Sequence, residues 1–222
     1  MAVVELDHAA DLVPRRHAGG WLAAFAVSVV VGQHIGSILK PFGLIGLRVE
    51  WADVVDLTVP YAVVGTAWVV LHRCAVSRRT WGWAVGGAVL FTQGHGVHLA
   101  ANSIGNARGN EQPVHLWDEV VGHYLWYSGL YVLVGTLVVA RPHLGSAWRW
   151  PLAALVGVTF ATNGIEGGTV PLTLPVAIGC VAWGLRHSLP TLVAMAGVTL
   201  VLLLGWGTYW QGFPQFSELG WI

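Results

Sequence analysis

Charge is what this sequence has least of. Only 10% of its 222 residues are Asp, Glu, Lys or Arg, against about 25% in ordinary soluble domains. So few charges cannot clothe a water-facing surface, and a conventional soluble globule is excluded. The charges also balance, 11 basic against 11 acidic, so there is no basic footprint for nucleic acid. Cysteine is nearly absent. Cys74 and Cys180 each sit inside an apolar run, and no CxxC motif or disulfide framework is present. The single lysine, Lys40, falls at a helix end, which leaves no buried amine for a retinal Schiff base. There is no long linker and no low-complexity tract, so residues 1–222 read as one integral membrane domain. The first 17 residues are polar and contain Pro14. No small-residue cleavage site follows the next apolar run, so no cleavable signal peptide is expected.

Apolar residues make up 55% of the chain, and the mean hydropathy is +0.63. Tryptophan occurs 13 times and suits a membrane interface, where an apolar ring and a polar N–H are both satisfied. Glycine occurs 29 times and permits close helix packing in lipid. A spanning helix needs about 20 mainly apolar residues. Seven stretches qualify, at 19–39, 54–74, 81–105, 116–140, 149–167, 170–186 and 189–210. The expected fold is therefore all-α, a polytopic bundle of about seven transmembrane helices. Segment 170–186 is short and holds Pro171 and Pro175, so a tilt, kink or partly re-entrant course is expected there.

Lysine and arginine orient such a bundle. Eight of the 11, from Arg15 and Arg16 to Arg186, fall on one side; Lys40, Arg48 and Arg108 fall on the other. The expected amino terminus is cytoplasmic, in the plasma membrane.

Against this background the stretch Gln93–Tyr127, QGHGVHLAANSIGNARGNEQPVHLWDEVVGHYLWY, stands out. On the third helix His95, His98 and Asn102 are three and four residues apart and share a face. On the fourth, Glu119 and His123 are four apart and also share a face. At 1.5 Å per residue, His95 and His98 lie roughly 21 and 26 Å from the inner end of their helix, and His123 roughly 10 Å from the outer end of its own. His34 on the first helix and Glu166 on the fifth fall in the same outer third of a core about 30 Å thick. Ionisable groups at such depth face inward, pair up and mark function.

Three imidazoles and a carboxylate suit a divalent metal ion, Zn²⁺ first, with Fe²⁺ or Mn²⁺ also compatible; the lack of sulfur ligands argues against Cu(I). The expected ligands are His95, His98, His123 and Glu119, with His34 and Glu166 completing or supporting the site. Glu119 doubles as candidate general base. Asp118, Asp53 and Asp56 open helices and read as caps. A metal with an open position acidifies water and polarises a carbonyl. A site opening at the outer leaflet then points to hydrolysis of a lipid or other apolar substrate. Oxidation of a lipid by non-haem iron, proton or metal transport, and a structural subunit of a membrane complex stay open as alternatives. The architecture resembles the alkaline ceramidase and adiponectin-receptor hydrolases. Those carry a His-x-x-x-His pair on the last helix, whereas residues 189–210 hold no histidine, so no residue role carries over.

Overall fold

A computed structural model describes residues 3–46, 49–108, 112–143 and 145–221. Arg48, one of the orienting charges, lies outside them. The structure is about 82% helical, with seven helical segments among the described residues. These are α1 (Val3–Gln33) continued by α2 (Ile35–Leu39); α3 (Trp51–Asp56) continued by α4 (Val59–Arg73); α5 (Arg78–Arg108); α6 (Gln112–His115) running through a π-helical turn, Leu116–Gly122, into α7 (His123–Ala140); α8 (Ser146–Glu166); α9 (Val170–Arg186); and α10 (Pro190–Trp210). Each contains or closely overlaps one of the seven expected stretches. The one departure from an all-helical fold among the described residues is a short antiparallel hairpin, β1 (Leu44–Gly46) with β2 (Val49–Glu50).

Local chemistry sets the helix ends. The Ser77 hydroxyl accepts the Thr80 N–H at 3.2 Å and caps α5. Glu50 and Asp53 form a reciprocal capping box on α3. Proline occupies the first turns of α4, α9 and α10, where its missing N–H costs nothing. Segment 170–186 is one continuous helix rather than a re-entrant loop. Five helices close on a left-handed residue, at Ala75, Arg141, Gly168, Ser188 and Gln211. In all but α7, where Pro142 follows, the next N–H reaches back five residues, as Thr169 does to Gly164 O at 2.9 Å.

Three of these helical segments are long and apolar enough to cross a membrane: Trp51–Arg73, Gln112–Ala140 and Pro190–Trp210. Ala18–Gln33 and Val170–Arg186 are shorter apolar helices. Large apolar side chains also point outward, among them Tyr61 at 78% exposure and Val201 at 70%. The main core gathers Phe25, Val29, Val63, Phe91, Leu130 and Leu133 from α1, α4, α5 and α7.

The tightest contact in the fold joins α5 to α7. A Cβ on Gly94 would overlap the backbone of Trp126, and one on Gly129 would overlap the backbone of Phe91. Gly122 lies against the Cα of His98, and Gly87 against Gly129 and Val132. The partner numbers fall on one side as they rise on the other, so the two helices are antiparallel. Gly87 and Gly94 are seven residues apart, as are Gly122 and Gly129. Two helical turns bring each pair back to one face. Gly94→Leu or Gly129→Leu is therefore expected to destabilise the protein by about 1–3 kcal/mol through overpacking. A Cβ on Gly65 meets open space, so Gly65→Leu stays within about 0.5 kcal/mol of the parent. Thermal unfolding in detergent separates the two results.

Candidate functional site

The site begins with a carbonyl that its own helix leaves without a donor. In a continuous helix the Asp56 carbonyl would accept from the N–H four residues on. That residue is Pro60, which has none. The helix breaks at Leu57–Thr58 and resumes as α4. His95 on α5 fills the gap, with its Nε2 3.1 Å from the Asp56 carbonyl and 3.4 Å from Asp56 Oδ1. A carbonyl only accepts, so Nε2 carries the proton. Nδ1 is then the lone-pair nitrogen. His95 is 1% exposed, and its Nδ1 is buried without a hydrogen-bond partner among the described residues.

One turn along α5, His98 turns to a different acid. Its Nδ1 stands 2.6 Å from Asp118 Oδ1, close enough for an ion pair but without the alignment of a hydrogen bond. Asp118 lies in the π-helical turn Leu116–Gly122 and is buried. On the same turn Glu119 holds His123: the His123 Nδ1–H donates to the Glu119 carbonyl at 3.2 Å, with Glu119 Oε2 at 3.3 Å. The His98 and His123 rings face each other with centroids 4.5 Å apart. Gly122 makes this possible, because a side chain there would press on the Cα and Cβ of His98. Trp126, one turn beyond His123, touches all three imidazoles, at centroid distances of 4.6, 5.2 and 5.9 Å from His95, His98 and His123. Tyr127 stacks on His123 and on Trp126.

Two histidines thus each give one ring nitrogen to a backbone carbonyl, His95 to Asp56 and His123 to Glu119. In each, the proton belongs on that nitrogen and the other, Nδ1 of His95 and Nε2 of His123, keeps its lone pair. The contact of His98 with Asp118 lacks hydrogen-bond alignment and does not set the tautomer of His98. A neutral imidazole held in this way suits proton acceptance or metal ligation. No group of three or more His, Cys, Asp and Glu side chains is already gathered as a metal-holding cluster among the described residues.

Of the six expected site residues, His98, His123 and Glu119 meet directly. His95 joins them through Trp126, while its ring is committed to Asp56. Glu166 is engaged elsewhere, its Oε2 accepting the backbone N–H groups of Phe216 at 2.7 Å and Ser217 at 3.2 Å. It pins the C-terminal segment against a small second core of Ala161, Ile165, Val170 and Leu203. His34 stands at the break between α1 and α2 and joins none of the three pairs. Two partners escaped the sequence reading. Asp118 and Asp56 look like caps but are buried against histidines. The proline four residues after Asp56 was the available clue. Trp126 was signalled only by its spacing from His123.

No protein family, curated protein or solved structure compared with the chain matches it.

Two measurements follow from this geometry. A double-mutant cycle on His98→Ala and Asp118→Ala is expected to return a coupling of about 0.5–3 kcal/mol, since the two groups are in contact and one is buried; additive losses would show that they do not interact. Glu166→Gln should loosen the C-terminal segment, because charge-assisted hydrogen bonds contribute about 1.5–3 kcal/mol. Limited proteolysis should then cut sooner beyond Trp210 while α10 stays intact.

Proposed function

We propose that this chain is a multi-pass membrane metalloprotein. In this reading seven helices cross the plasma membrane, the amino terminus is cytoplasmic, and the histidine site lies in the outer half. Its bound divalent ion, zinc before iron, serves hydrolysis of a lipid or other apolar substrate. The membrane part is supported by the coincidence of seven helical segments with seven apolar stretches, and by large apolar side chains on the outside. The orientation is supported by the uneven distribution of Lys and Arg.

The observation that carries the metal reading is the fixed proton on His95 and His123, with the His98 ring lying on that of His123. A ligating histidine characteristically donates its other ring N–H to a carboxylate or a backbone carbonyl, which sets the tautomer and the ring's aim. His95 and His123 have that partner, a backbone carbonyl in each case, and His98 lies against the Asp118 carboxylate. His98 and His123, whose rings already meet, form the nucleus of the proposed centre, with His95 and Glu119 completing it. Asp118 and Asp56 act as positioning residues. The ion would supply a Lewis acid and acidify water near neutral pH. Glu119, half-buried and beside His123, is placed to take a proton from that water. Trp126 and Tyr127 exclude bulk solvent from the inner side.

Elemental analysis with an absorption spectrum, on detergent-purified protein, tests this reading. Near-stoichiometric colourless zinc is expected, lost in His98→Ala and in His123→Ala. Asp118→Asn should keep the site but weaken affinity by about 10–100-fold. Coloured iron on the same residues would turn the reading toward lipid oxidation. Protein that takes up no metal, alone or after incubation with zinc, would overturn the metal reading.

A further inference from the structure

A second feature lies away from the histidines, at the opposite end of α7. A cleft of about 770 Å³ opens between α5 and α7 on one side and α9 and α10 on the other, with Phe160 of α8 among its lining residues. That volume is in the range of ligand sites. Its walls are almost wholly apolar. The Tyr131 hydroxyl and Thr173 Oγ1, 2.8 Å apart, line one end. Arg79, in the first turn of α5, and Trp183, near the end of α9, line the other. From Thr173 to Trp183 the cleft runs roughly 15 Å along α9, half the thickness of a hydrocarbon core.

Charge decides what fits. Arg79 is the one charged residue lining the cleft. No carboxylate lies within ion-pair distance of it among the described residues. A guanidinium at the mouth of an apolar slot one leaflet deep is complementary to an amphiphile with an anionic head and an apolar tail. Arginine holds phosphate oxygens in a planar two-point grip. We infer that this cleft binds one anionic membrane phospholipid, its phosphate on Arg79 and an acyl chain running between α7 and α9 toward Tyr131. The inference is independent of the metal reading, since none of the three histidine pairs lines the cleft.

The test is native mass spectrometry of the purified full chain from mixed micelles holding phosphatidylglycerol and phosphatidylcholine in equal amounts. Wild type should retain one phosphatidylglycerol about fivefold over phosphatidylcholine, the preference a single arginine near an anionic headgroup supports. Arg79→Ala should bring that ratio close to unity. Gly135 and Gly179 line the cleft, and a Cβ on either meets open space. Gly179→Phe should therefore fill the slot and abolish retention of both lipids, with Gly135→Phe as its replacement if the first variant fails to fold. Gly65→Phe, outside the cleft, should behave as wild type. Equal retention of the two lipids by wild type overturns the proposal. So does a preference that survives in both Arg79→Ala and the filled variant.

Discussion

Everything at the histidine site depends on how near α5 comes to α7. Lipid tails are as apolar as leucine, so helices surrounded by them gain little from burying more leucine against each other. What remains is dispersion between closely apposed backbones, and that needs residues without a Cβ. Gly87, Gly94, Gly122 and Gly129 supply them at two-turn intervals. The same register puts His98 opposite Gly122, and the cleared space lets its ring lie on that of His123. Trp126 then packs between the three imidazoles, with Phe91 beneath it. The placement of the three imidazoles thus follows from the glycine contacts between α5 and α7.

Polar groups in this setting need partners, because an unpaired one costs several kcal/mol in an apolar medium. The fold answers that need in two ways, while the Gln33 amide, Trp126 Nε1 and the His98–Asp118 contact stay without a hydrogen bond among the described residues. Asp56, Asp118 and Glu119 each take a histidine, while Glu166 takes two backbone N–H groups of the C-terminal segment. Beside Asp56 and Glu119 the imidazole, its proton fixed by a carbonyl, keeps a lone pair on the other nitrogen. The fourth carboxylate engages backbone alone and holds the C-terminal segment in place.

The helices were legible because hydrophobic run length is a strong and local signal. The pairing of His98 with His123 was legible for a related reason: depth along two adjacent helices can be counted. Asp118 and Asp56 were not, because a carboxylate at a helix start reads as a cap whether it faces solvent or a ring. Asp53, which does cap, looks the same in sequence. The role of Glu166 depends on Phe216, 50 residues away, and no local pattern announces that. For 170–186 the two prolines suggested a break. Pro171 falls in the first helical turn, where no N–H is needed, and Pro175 forfeits only the bond to the Pro171 carbonyl.

The π-helical turn at Leu116–Gly122 has one further consequence. A stretch of this kind behaves as a single surplus residue threaded into an ordinary helix, and such widenings are retained mostly where they are used. Here it lets the N-terminal end of the fourth helical segment be wound out of step with α7. Shortening the turn by one residue between Asp118 and Gly122 would change the winding that joins them and so turn Asp118 relative to His98. Length, rather than composition, is what that turn cannot vary.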